Sequence, residues 1–159
     1  MKEFTANRCR LRTEVGERLR KRNGKYVFWL LGLWYAGFLL RDFQRGIMLE
    51  ADYLWLREID DIADGDLPVP AGYSSPAEYV AKKRDFLHQP REPRDDVEVL
   101  MLFCSELSIK KGLDLFQARL MVLESILFDA NRLGTGTIFP AVVLQEYFFT
   151  CDIVGTISG

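Results

Sequence analysis

Residues 53–64 read Tyr53-Leu-Trp-Leu-Arg57-Glu-Ile-Asp60-Asp61-Ile-Ala-Asp64. On a helix, residues three and four apart share a face. Tyr53, Arg57, Asp60 and Asp64 follow that spacing and line one stripe, with Asp61 beside it. Leu54, Ile59, Ile62 and Ala63 supply apolar flanks, so the stripe is expected on the inner face of a helix. Gly65, Pro68, Pro70 and Gly72 close the segment with a loop.

The rest of the chain has the same helical character. Arg8 to Arg22 reads as a basic helix ended by Asn23-Gly24. Tyr26 to Leu40 is apolar almost all round and is expected in the middle of a bundle. Its 15 residues fall short of the roughly 20 that span a bilayer. Asp42 is a suitable N-cap for a helix from Phe43 to about Asp64. Ser75-Pro76 with Glu78 starts a short helix over Ala77 to Leu87, and Pro90 and Pro93 break the chain again. Asp95 to Ile109 and Leu113 to Arg132 read as helices divided by Gly112. Gly134 and Gly136 mark a turn before a last helical stretch, Pro140 to Gly159. No strand pattern competes, so the fold expected is all-α, a helical array with short connections. The apolar periodicity around Ile153, Val154 and Ile157 runs to the end, so the array is expected to be truncated.

The 159 residues suit one domain, and a net charge of −2 gives no general pull toward nucleic acid. The charge is uneven. Residues 1–25 hold nine Lys or Arg against three Glu, a net +6. They form a basic arm ahead of a main domain over 26–159, suited to a peripheral contact with anionic lipid or to plain solvation. Cys9, Cys104 and Cys151 lack zinc spacing and read as free thiols of a cytoplasmic protein.

Carboxylates one turn apart repel each other and are costly to bury alone. A magnesium ion relieves this, since it takes one or two carboxylates together with substrate phosphates and water. Asp60 and Asp64 are the candidate ligands, bridging through the ion to a diphosphate. Arg57 suits a phosphate oxygen and Tyr53 an aromatic face toward developing positive charge. An exposed acidic helix end is the other reading, although three Asp near a C-terminus oppose the macrodipole. Asp129 and Arg132, one turn apart, read either as a further substrate contact or as a surface ion pair. His88, the sole histidine, lies near prolines and is not expected to be catalytic.

The segment Tyr53 to Asp64 resembles the first aspartate motif of the squalene/phytoene synthase family, in which Tyr, Arg and D-x-x-x-D follow one another on one helix. Phe38-Leu39-Leu40 with Arg45 resembles the family's lead-in helix. Asp129 and then Ile153-Val-Gly-Thr-Ile157 resemble the region of its V-A-G-x-V-G motif. The resemblance implies an isoprenoid-synthase helical fold and magnesium-dependent, head-to-head condensation of two prenyl diphosphates, farnesyl or geranylgeranyl. It implies metal binding by Asp60 and Asp64, catalytic roles for Tyr53 and Arg57, and substrate contacts from Arg57, Asp61 and Asp129. Several features depart from the family. Gly32-Leu33 stands near its Ser-Phe pair, Phe149-Thr150 replaces its Tyr-Cys, and Ser158 replaces the motif's second Gly. The second aspartate motif is not among the 159 residues. The expectation is therefore a fragment, or a half-subunit completed by a second chain. Alternatives are a non-catalytic relative that binds prenyl lipid or serves assembly, and a fragment of a membrane aromatic prenyltransferase.

Overall fold

The structure, a computed structural model, describes residues 13–19, 21, 35 and 42–132. The expected helices over Tyr26–Leu40 and Pro140–Gly159 and the Gly134–Gly136 turn lie outside the described residues, Tyr35 excepted, as do Cys9 and Cys151. Among the described residues there are helices and no strand. They are α1 (residues 13–19), α2 (Phe43–Ala63), α3 (Pro76–His88), α4 (Asp96–Lys110) and α5 (Phe116–Ala130).

Local chemistry sets most of these boundaries. Asp42 caps α2, its Oδ1 accepting from the Arg45 amide at 3.2 Å. Ser75 caps α3 through the Glu78 amide at 3.1 Å, with Pro76 in the first turn. The Glu78 carboxylate reaches back to the Ser74 amide at 2.8 Å and to the Ser74 hydroxyl. Two donors at the helix start are thus satisfied from one acidic side chain. Asp95 caps α4 through the Glu98 amide at 2.9 Å, while buried Glu98 accepts from the Arg94 amide and from Arg91 Nη2. The expected starts at Ala77 and Asp95 therefore each fall one residue from the observed ones.

The expected start at Leu113 is three residues early. Gly112 adopts φ +67°, and its amide donates to Ile109 O while that of Leu113 donates to Ser108 O. This pair of bonds terminates α4 through a left-handed glycine and consumes Leu113. The last helix then begins at Phe116, behind Leu115, which makes no side-chain cap.

By contact the chain divides into two compact units, residues 1–58 with 90–114, and residues 59–89 with 115–159. In the first unit, α2 as far as Glu58 runs antiparallel to α4. Lys111 Nζ meets Asp42 at 2.9 Å and the Ser108 hydroxyl meets Met48 Sδ at 3.4 Å. Val15, Leu19, Met48, Leu54, Trp55, Leu100, Met101 and Cys104 are buried here. Residues 13–19 are part of this unit, with Arg18 gripping Asp96 through two bonds of 2.7 and 2.9 Å.

In the second unit, α3 and α5 pack against each other. His88 stacks edge-on to Phe116 at 5.3 Å, and Arg84 reaches Glu124 at 3.4 Å, so these helices also run antiparallel. Ile59, Ile62, Tyr79, Val80, Phe86 and Leu123 are buried here. Lys83 is also fully buried, its Nζ 4.8 Å from the Tyr79 ring centre and 3.4 Å from the Tyr73 hydroxyl.

Candidate functional site

The apolar side chains of α2 determine how its acidic residues face. Met48, Ala51, Leu54, Trp55, Ile59, Ile62 and Ala63 are all buried, which makes the buried sector wide. Glu50, Glu58 and Asp61 fall inside that sector and are about 5 % exposed or less. The stripe of Tyr53, Arg57, Asp60 and Asp64 runs along its border. Tyr53, Arg57 and Asp60 are half-buried and Asp64 is exposed. The expected inner-face position is therefore corrected. The four residues share a stripe, but it is a half-open one, because Trp55, Ile59 and Ile62 claim the interior.

Asp64 is also not within the helix. It follows Ala63, the last residue of α2, and stands before Gly65, which turns the chain with φ +84°. Its amide still donates to Asp60 O at 2.8 Å, so helical register persists and Asp64 remains one turn beyond Asp60. Asp61, expected beside the stripe, is turned inward, and its carbonyl accepts from the Leu67 amide at 2.9 Å.

Tyr53 and Arg57 belong to the first unit's share of α2; Asp60, Asp61, Asp64 and Asp129 belong to the second unit. Within the second unit, α5 brings Asp129 within electrostatic reach of Asp64. Burial pushes the Asp129 carboxyl above its ordinary value, Arg132 pulls it down, and the Asp64 carboxylate pushes it up again. Arg132 Nη1 lies 3.8 Å from Asp129 Oδ1, which realises the expected i, i+3 pair.

Among the described residues no group of three or more His, Cys, Asp or Glu is gathered closely enough to cage an ion. Magnesium does not require such a cage, since waters and substrate phosphates commonly complete its octahedron. Asp60 and Asp64 stand in helical register, one half-buried and one exposed, and the Asp64 charge raises the Asp129 carboxyl.

The burial of Lys83 has no signal in the sequence, where Lys82-Lys83-Arg84 reads as a solvated run. Only its position four residues after Tyr79 places it on that ring's helical face. Comparison with known families, with curated proteins and with solved structures finds no match to this chain.

Proposed function

We propose that the chain is a magnesium-dependent prenyl-diphosphate-binding domain of the squalene/phytoene-synthase type, one part of a prenyl-transferring enzyme. Asp60 and Asp64 hold the metal, Arg57 and Tyr53 act on the substrate, and Asp129 supports the diphosphate end, while Asp61, turned inward, is left out of the site. The observation that carries this reading is the half-open stripe along α2 and the turn that follows it, where four residues of the right types keep helical register and remain within reach of solvent. Asp129 adds support, because its carboxyl is held up partly by the charge of Asp64, a repulsion that a divalent cation removes. Magnesium bound at this stripe supplies positive charge against the departing diphosphate. Arg57 supplies a flat, permanently charged fork for phosphate oxygens, and Tyr53 an aromatic face for an allylic cation.

A non-catalytic prenyl-lipid binder is the second reading. It is favoured by a specific fact: the sequence holds one D-x-x-x-D and no other. The membrane prenyltransferase reading has less support, since no helix among the described residues is long and apolar enough to cross a membrane.

Calorimetric titration with farnesyl diphosphate, with and without magnesium, separates the two readings. The wild-type chain should bind only when magnesium is present. Asp60→Asn with Asp64→Asn should weaken binding by roughly tenfold or more, the scale of one lost charged contact. Binding that ignores both magnesium and these substitutions would favour the lipid carrier and remove the enzyme reading.

A further inference from the structure

We infer that residues 65–73 are a strap clasped by Tyr73 over the amine of Lys83, and that local release of this strap, short of unfolding, is what opens the amine to solvent. The strap and the amine both belong to the second unit, and neither depends on the magnesium assignment.

Lysine is seldom fully buried in a folded protein, because its ammonium is costly to take out of water. Lys83 is 0 % exposed, whereas Lys82 beside it is exposed. Two tyrosines face its Nζ. The Tyr79 ring centre lies at 4.8 Å, the Tyr73 ring centre at 5.5 Å and the Tyr73 hydroxyl at 3.4 Å. The two rings meet edge to face at 4.9 Å, so the amine and both rings form one cluster. Tyr79 lies one turn before Lys83 on α3 and is itself buried. It stays in place as long as α3 does. Tyr73 comes from the connection ahead of α3 and is half-buried. Of the two rings, it is the one that reaches solvent.

The connection is lightly held. None of residues 65–73 is buried, and Gly65, Asp66, Pro68, Ala71 and Gly72 are exposed. Segments with so little buried surface open at a lower cost than the core beneath them. At one end the Leu67 amide donates to Asp61 O at 2.9 Å. At the other, Ser74 and Ser75 are bound to Glu78 in the cap of α3. Between these ends the Tyr73 amide donates to Pro70 O at 3.3 Å, in a turn that passes through Gly72 at φ +97°. Glycine lets the backbone deliver Tyr73 onto Lys83 without the strain another residue would meet. The ammonium, taken up by the Tyr73 ring and hydroxyl, then holds the strap down.

The test is acetylation of the full chain by trace acetic anhydride, with the rates at Lys83 and Lys82 read by mass spectrometry after digestion. In the wild type Lys83 should react at least roughly tenfold more slowly than Lys82, as expected for an amine reached only through local opening. Tyr73→Ala should raise the Lys83 rate roughly five- to tenfold, the scale of a lost cation–π contact, and leave Lys82 unchanged. Gly72→Ala keeps every side chain of the clasp, and its new Cβ meets nothing within 4 Å. It should still raise the Lys83 rate roughly fivefold or more, because a left-handed backbone strains an L side chain. Amide exchange over residues 67–73 should quicken in both variants while that over α5 does not. Equal rates at Lys83 and Lys82 in the wild type would mean that the amine is not closed off, and the inference fails. Protection that survives Tyr73→Ala, or that is lost only at urea concentrations unfolding the whole chain, would mark core burial without a strap and also overturns it. An unchanged Lys83 rate in Gly72→Ala overturns it even if Tyr73→Ala does not fold.

Discussion

Asp129 shows how a single carboxyl reports on its surroundings. Burial raises it first, and the Asp64 charge raises it further against the pull of Arg132. Its folded value thus lies above its unfolded one, near 3.8. The folded chain holds that proton longer than the unfolded chain does. The stability this contributes is complete below the unfolded value and is lost as pH rises through the folded value. At neutral pH the ionised carboxylate opposes folding slightly. Asp129→Asn keeps the shape and removes the charge, so it should raise the thermal midpoint at pH 7. The gain should be about a degree, since partly screened charges are worth under about 1 kcal/mol. Near pH 3 the difference between variant and wild type should vanish, which scanning calorimetry at the two pH values checks. A fall in midpoint at pH 7 would mean that the Arg132 attraction outweighs burial. Residue types alone showed that Asp60 and Asp64 share a stripe. They did not show that Asp61 turns inward and Asp64 outward, because that depends on how wide a sector Trp55, Ile59 and Ile62 occupy.

Caps and glycines made most of the helix starts readable in the sequence. Asp42, Ser75 and Asp95 stand where side-chain oxygens meet the amides three residues on, and all three do so. Leu115 offers no such oxygen, and there the expected start failed. The pairing of α3 with α5, across 27 intervening residues from Gln89 to Leu115, was not readable either. Helical periodicity says which face is apolar and nothing of which helix covers it. The cap at Ser75 offers a quantitative test. Ser75→Ala removes the acceptor for the Glu78 amide but leaves Pro76 and the Glu78–Ser74 contacts in place. The cost should be about 1 kcal/mol. For a chain of this size that is a fall of roughly 2–4 °C in thermal midpoint. Ser75→Asp, which restores an acceptor and adds negative charge at a helix start, should recover most of it. Glu78 already sits low through its bonds to Ser74, so the cap effect should persist at neutral pH.

At the scale of the molecule, the chain passes between its two units at residues 58/59, 89/90 and 114/115, and neither unit is a continuous stretch. The first crossing falls inside α2, after Glu58. The sequence holds a single D-x-x-x-D. On the proposed reading, one such stripe serves one metal diphosphate, and head-to-head condensation has two to release. A second cluster of carboxylates is needed for the other, and the 159 residues hold no second D-x-x-x-D. The chain by itself should therefore bind one pyrophosphate per molecule in magnesium buffer and yield no condensed product from geranylgeranyl diphosphate. Titration gives the stoichiometry, and extraction with mass analysis of the organic phase gives the product. Activity should appear only when a polypeptide bearing the second stripe is added, and Asp64→Asn should abolish it there. A condensed C40 product from the isolated chain would show that one stripe serves both diphosphates, either in turn or through pairing of two copies. In the paired case, the rate per chain would rise with protein concentration, which distinguishes it from sequential use of one site.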